Sequence, residues 1–516
     1  MTEDAPIASR GDRTTVHETS PLLPPEDRPG PRKTTAPPRY QLQEPNHVAL
    51  LCCLGIFLWV LSGTMAIVPA TRIAEELMCH RFYGREDDID DDLCKTPEVQ
   101  SSMAFLFSLV WVLDCVAGLV VAFPFGALAD RARKPVYILG AIGQSINVVW
   151  VFFVFYFWRT LPIELLLLAP ISQLLGGGLL VATAVLYAMM SDVLATENRA
   201  TWFFYFSLSA QVAGFVGLPV ASGMMEAWSP WAPLVIVMLL GPLNVLLTVF
   251  MPETLQLAGV KVPERQVIAA DNQGCWMRIR SHGSEHLGHA REAFRLLRSR
   301  SLALIVTCMV LVTPVAQAFY GIFIQYFSMR FRRPFTEAGY ILSIRGGCIL
   351  VIMGAVLPLL TRFLSPERTK MPAYRRDLWL ARGSVLCLIV GLVAMAGPNV
   401  GFVIAGLIIS TLGSGLGALC RSLITNFIEP GQTSRLYTLL SILETLGSLP
   451  SGPLLAWAFA CGMRLQGFLY GLPFLVLALV STLAVVALYA LPGNISSGVA
   501  VRTPNDEEGQ VRDPEC

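Results

Sequence analysis

Twelve long apolar runs arranged as two sets of six predict an all-α membrane protein built of two pseudo-symmetric six-helix bundles. Three observations lead there. The 516-residue chain is 54% hydrophobic and only 15% charged, where a soluble protein carries about 25% charged residues. Its apolar runs have the length that a hydrocarbon core demands, roughly 20 residues per helix. A long polar segment divides them midway.

The runs fall at 47–70, 101–126, 136–158, 163–190, 201–224 and 231–251, then 301–327, 338–361, 378–397, 400–424, 435–459 and 466–491. They are numbered as spans 1 to 12. Residues 1–46 form a polar, proline-rich leader with too little apolar content to bury a core, hence a disordered segment. The N-terminal bundle is expected over 47–251 and the C-terminal bundle over 301–491. Between them lies a polar central loop, 252–300, and a polar tail covers 492–516. The first apolar run is too long for a cleaved signal peptide.

Orientation follows from Lys and Arg, which concentrate in the leader, the central loop and the other segments on that same side. This bias puts both termini and the central loop in the cytosol. The loop at 71–100 is then external. It is acidic and holds Cys79 and Cys94, a pair that an oxidising exterior would allow to bridge.

A compact charged turn, Gly126-Ala-Leu-Ala-Asp130-Arg131-Ala-Arg133-Lys134-Pro135, sits between spans 2 and 3. Four charges held between two membrane helix ends suggest a charge-relay hinge rather than a linker. The halves also echo one another faintly: Asp114 precedes Asp130 by 16 residues, as Arg345 precedes Thr361-Arg362. Repeated six-helix halves suggest a transporter rocking two bundles about a midplane site.

The turn resembles the loop G-x-L-A-D-R-x-G-R-[KR] of the major facilitator superfamily, and the resemblance runs over roughly residues 47–491. Gly126, Leu128, Ala129, Asp130, Arg131, Arg133 and Lys134 match in type; the glycine before the basic pair is missing and the loop is one residue short. The resemblance implies that this loop latches the halves, Asp130 acting near the start of span 11. In span 5, Gly214, Pro219 and Gly223 are similar to the G-x3-G-P-x2-G-G kink of the family's drug:proton antiporters, with Leu218 and Ser222 replacing two glycines. Small residues there permit close helix packing, and proline bends the helix. In span 4 the antiporters' arginine is absent; Ser172-Gln173 precedes Gly176-Gly177-Gly178. Pro252-Glu253-Thr254-Leu255 looks like the end of span 6 in several branches. Arg376 to Arg382, with Arg435-Leu-Tyr437 before Glu444, resembles fungal members distantly related to the proton-coupled folate transporters, and that group implies efflux.

Charges inside spans cost about 2.5–3.5 kcal/mol on insertion scales, so they are paired or functional. Asp114 in span 2 and Glu444 in span 11 are candidates for carrying a proton, Glu444 first. Arg345 in span 8 is expected as their counter-charge or as a seat for an anionic group; a structural ion pair is the plainer alternative. The resemblance implies that spans 1, 4, 7 and 10 line the cavity, which offers Trp59, Gln173, Gln317, Tyr320 and Ser414, with Gln325 and Tyr326 nearby. Aromatics with a few amides and hydroxyls suit an amphipathic organic molecule.

The function expected is secondary transport of a small organic molecule by alternating access, as proton-coupled efflux. Proton-coupled uptake or facilitated diffusion of an organic anion or nutrient is the alternative, and a non-transporting receptor of the same fold is the alternative of another class. No span holds a catalytic constellation, so an enzyme is not expected, and no G-x4-G-K-[ST] motif signals ATP. No cofactor, metal or nucleic-acid partner is expected. The partners are a small-molecule substrate, protons and the lipid bilayer, and the chain is expected as a monomer. His282, His286 and His289 read as a solvated helix face; the stretch after them reads as a basic amphipathic helix on the inner leaflet. The string Glu18 to Leu23 fits an acidic dileucine signal, so the membrane is the plasma membrane, or the vacuolar or endosomal one if that signal is used.

Overall fold

The computed structural model describes residues 44–84, 91–257, 300–356, 359–360, 363, 373–425, 433–465 and 467–491. The dileucine string, the three central histidines and the basic amphipathic stretch lie outside them. The described residues fold as twelve helical spans in two bundles. Ten helices are long and apolar enough to cross a bilayer unaided. Spans 7 and 11 complete the set as broken pairs, Arg300–Gly321 with Phe323–Phe331 and Thr433–Ser448 with Ser451–Leu465.

Several spans outrun their apolar stretch. Span 1 is a helix of 39 residues, Pro45–Tyr83, about 58 Å at 1.5 Å per residue and so far longer than a roughly 30 Å hydrocarbon core. Its last turns carry polar residues that are satisfied locally. Arg72 pairs with Glu75 at 3.0 Å, and the fully buried Glu75 also accepts a hydrogen bond from the Gln100 amide of span 2. A disulfide joins Cys79 to Cys94, with Cα atoms 5.2 Å apart. These ties continue the helix where hydropathy alone ends it at residue 70.

Span 4 departs most from a plain helix. Residues Ile163–Leu175 are 3₁₀, and an α-helix restarts at Gly178–Val193. Gly177 and Gly178 take φ of 79° and 61°, left-handed values that any side chain resists. Gly176 meanwhile brings the backbone of span 4 against span 3, where an added Cβ would lie 2.2 Å from the Gly140 nitrogen. Span 10 repeats the design: helix Val400–Leu412, a 3₁₀ turn at Gly413–Gly415, then helix Leu416–Thr425. Both breaks come 13 residues after the span begins.

The lipid faces read directly from exposure. Val120 at 62%, Leu239 at 64% and Leu479 at 66% stand outside the bundles, a belt no water-solvated protein would show. The apolar cores divide by bundle at the membrane face where the termini lie: one cluster runs from Val48 to Met251 and another from Leu302 to Leu491. At the opposite face they merge. Val68, Ala104 and Leu218 of the first bundle join Ala338, Leu342, Leu455 and Phe459 of the second in one cluster. Spans 5 and 8 interlock there, since a Cβ on Gly339 would sit 2.2 Å from Ser222 Oγ and one on Gly346 would sit 3.1 Å from Phe215 Cα. Tyr340 donates its hydroxyl to Glu226 across the same seam at 3.1 Å. Spans 2 and 11 close beside it, with Gly452 against Ser108. The bundles are therefore sealed together at the face remote from the termini.

Candidate transport site

The charged turn is held entirely within the N-terminal bundle among the described residues. Span 2 ends at Ala129 and span 3 begins at Arg133, with no side-chain cap from the turn itself. The cap comes from Glu253, just beyond span 6. Its two carboxylate oxygens accept the backbone N–H groups of Arg133 and Lys134 at 3.0 and 3.1 Å, which satisfies two of the helix's orphan donors and suits its positive end. Lys134 returns the exchange by donating Nζ to the carbonyls of Met251 at 2.7 Å and Val249 at 3.4 Å. Spans 3 and 6 are thus cross-capped.

Arg133 lies between two acids, 3.1 Å from Asp130 and 3.5 Å from Asp192 at the end of span 4. Thr254 donates to the other side of this knot, its hydroxyl 3.0 Å from Asp192. Asp130 itself is 76% exposed, as a latch released from its partner would be. Asp130 pairs with Arg133; the side chains at the start of span 11, where the latch partner is expected, lie outside the described residues. Arg131 points to solvent, and a Cβ at Gly126 would meet nothing within 4 Å. Glu253, Thr254 and Asp192 escaped the sequence reading as site residues, although Pro252-Glu253-Thr254-Leu255 was the signal.

At the midplane, Asp114 of span 2 accepts a hydrogen bond of 2.9 Å from the Gln173 amide. Gln173 is the last polar side chain before the break in span 4, and its Oε1 lies where a Cβ on Gly178 would be, 1.8 Å from it. The glycine break therefore makes the room in which Gln173 reaches across to span 2. Beside Asp114, Cys115 Sγ meets Ser448 Oγ of the other bundle at 3.8 Å, so this turn faces the bundle interface.

The other intramembrane charges are arranged differently from expectation. Glu444 is bound by Arg421 of span 10, whose Nη2 lies 3.1 Å from each carboxylate oxygen. The Arg345 guanidinium lies 6.0 Å from the centre of the Tyr320 ring. Trp59 is not a cavity residue either. It is 5% exposed and packs within the N-terminal core against Tyr137 and Gly140. Tyr326 and Gln325 are likewise buried, the Tyr326 hydroxyl donating to the Met395 carbonyl at 2.8 Å. Ser414 sits in the span 10 break with its Oγ unpaired among the described residues. The Gln317 side chain lies outside them.

The span 5 glycines also need correction. Gly214 faces open space, and Gly223 meets only Tyr340 at 3.4 Å, whereas Gly217 is the close approach: a Cβ there would lie 2.2 Å from Thr64 Oγ1. The helix Thr196–Ala227 runs on through Pro219.

Glycine-interrupted spans at corresponding places in two repeated halves mark a transporter's binding site. The breaks of spans 4 and 10, with Ser414 in one, Gln173 beside the other and Asp114 bonded to Gln173, form the candidate site.

Comparison with known proteins agrees with this geometry. The chain is 27% identical over 478 residues to the MFS efflux pump atnC of Emericella nidulans, covering 89% of this chain and 90% of that protein. It is 25% identical to the efflux pump ustT of Aspergillus flavus, over 86% of this chain and 88% of that one. Among solved structures, the D-xylose-proton symporter superposes with a TM-score of 0.61 at 12% identity, covering 87% of this chain and 98% of the symporter. The nucleoside transporter NupG gives 0.59 at 14%, over 86% and 100%; these likenesses speak to the fold. The family model described as Major Facilitator Superfamily matches residues 50–452, and the chain belongs to that superfamily as a multi-pass membrane transporter, not an enzyme.

Proposed function

We propose that the chain exports a small organic molecule from the cytosol in exchange for protons, with Asp114 as the exchanging carboxylate. One observation favours this assignment above all. Asp114 lies at midplane depth on the bundle interface with an amide as its partner, while Glu444, Glu75, Asp377 and Asp192 each have an arginine. A carboxylate without a fixed counter-cation in a low-dielectric site must bind a proton or a cation to cross states cheaply. The efflux names of the fungal relatives support the direction. The Lys and Arg bias supports cytosolic termini, and the sealed far face is then the external one. The chain works as a monomer at the plasma membrane, or at a vacuolar or endosomal membrane if the signal at Glu18 to Leu23 routes it there.

Inverted vesicles from yeast expressing the chain test the proposal. Incubated with a fungal culture extract and read by mass spectrometry, acid-loaded vesicles should concentrate at least one compound that control vesicles do not. Collapsing the gradient should abolish that accumulation. Equal accumulation without a gradient would make the chain a facilitator.

A further inference from the structure

We propose that the Asp114 turn of span 2 is the seat of a cationic nitrogen on the transported molecule, with Trp111 as its aromatic wall. The proposal rests on the transport reading above and names the substrate class for the same site.

Four residues define the seat. Trp111, Asp114, Cys115 and Gly118 follow i, i+3, i+4, i+7 and so share one face of span 2. Cys115 turns that face toward Ser448 of the opposite bundle, and the seat therefore opens on the interface rather than on lipid. Trp111 Nε1 is buried and makes no hydrogen bond among the described residues, which is unusual for an indole inside a protein. A Cβ on Gly118 would meet nothing within 4 Å, which leaves free volume one turn beyond the carboxylate.

The charge arrangement selects the ligand. Gln173 donates to Asp114 Oδ1, and the other carboxylate oxygen has no donor among the described residues. An acid with a spare oxygen, sharing a helix face with an indole one turn away and with unfilled space one turn beyond, attracts a protonated or quaternary amine through both its charge and the ring quadrupole. The unpaired indole N–H would take an acceptor on the same molecule, such as a carbonyl. Gln173 acts as a positioning residue here: it fixes one carboxylate oxygen beside the span 4 break and leaves the other to the ligand. The Arg345 guanidinium of span 8 lies over the Tyr320 ring, and the four residues of the seat include no cation to hold an anion.

Two probes of one shape and opposite charge test this: tetraphenylphosphonium and tetraphenylborate, bound to the purified full chain in nanodiscs without any gradient. Wild type should bind the phosphonium saturably and at least tenfold more tightly than the borate. Asp114→Asn should weaken phosphonium binding at least tenfold, and Asp114→Glu should stay within threefold of wild type. Trp111→Leu should weaken it several-fold, with Trp111→Tyr restoring most of the loss. Borate binding should be unmoved throughout. The proposal is overturned if Asp114→Asn binds phosphonium like wild type, or if wild type prefers borate and Arg345→Gln abolishes that preference. Should the Asn variant fail to insert, the wild-type comparison alone decides. Charge-selective binding without vesicle accumulation would sink the transport reading and keep the seat; accumulation without charge selectivity would do the reverse.

Discussion

Asp130 and Glu253 both contact Arg133 of the charged turn, yet they should respond to mutation in different ways. Asp130 is largely exposed and pairs with Arg133 at the start of the next helix, so Asp130→Asn should change the unfolding free energy in detergent by less than about 1 kcal/mol. Its effect should instead fall on turnover, with flux strongly reduced, because the latch is needed in the other conformation. Glu253→Ala removes the acceptor of two backbone N–H groups, a capping loss of about 1–2 kcal/mol. It should lower the unfolding midpoint as well as flux. Unchanged flux in Asp130→Asn would mean that the shortened loop no longer latches. A second pair separates coupling from structure. Asp114→Asn should abolish gradient-driven accumulation in inverted vesicles, whereas Glu444→Gln should retain it while losing stability through the orphaned Arg421. Persistent gradient-driven transport in Asp114→Asn would return the coupling role to Glu444. Sequence alone ranked Glu444 above Asp114 because a charge inside a span is visible but its partner is not. Arg421 lies 23 residues away on another helix, and only packing brings the two together. Trp59 failed for a related reason: membership of a cavity-lining span does not say which face a side chain takes.

At the scale of elements, hydropathy revealed the number and order of the spans but not their interruptions. A Gly-Gly-Gly run inside an apolar stretch reads equally well as a packing surface or as a break. The structure uses it as both, with Gly176 for contact and Gly177 and Gly178 for left-handed turning. The ends of span 1 were hidden for another reason, because its last turns are stabilised by a buried ion pair and a disulfide rather than by lipid. Helix interruptions and helix-packing glycines predict different mutational costs. Gly177→Ala forces a side chain into a left-handed conformation at about 1–2 kcal/mol, and its Cβ would strike Val181 at 2.2 Å. It should straighten or destabilise span 4 and cut flux severely. Gly214→Ala meets nothing and replaces a helix-interior glycine, so it should be neutral or stabilising by up to about 1 kcal/mol. Circular dichroism melting and flux on the two variants check this; a silent Gly177→Ala would show that the break is not needed for the cycle.

On the transport reading proposed above, this conformation is one of two. Its bundles share an apolar cluster at the face remote from the termini and hold separate clusters at the other, and among the described residues the charged turn is engaged within its own half. Alternating access requires the opposite arrangement to lie within a few kcal/mol, so that each state is populated in turn. The seam between spans 5 and 8 is where that balance is most exposed to substitution. Gly339 permits Ser222 to approach within a distance at which a Cβ would overlap it at 2.2 Å, with Val68 on the other side at 3.1 Å. A Gly339→Leu side chain cannot be accommodated while the seam is shut, and the clash vanishes when the bundles part there. The substitution therefore acts on one state alone, the only kind of perturbation that shifts a conformational equilibrium; about 5.5 kcal/mol of such bias inverts a 99:1 ratio. Spin labels at Met225 on span 5 and Glu337 on span 8 would report the opening. Gly339→Leu should lengthen that distance and arrest transport. Tyr340→Phe, which removes only the hydrogen bond to Glu226, should lengthen it in a minority of molecules and leave transport running. An unchanged label distance in Gly339→Leu, in a protein that inserts and unfolds normally, would show that the seam between spans 5 and 8 does not open during the cycle.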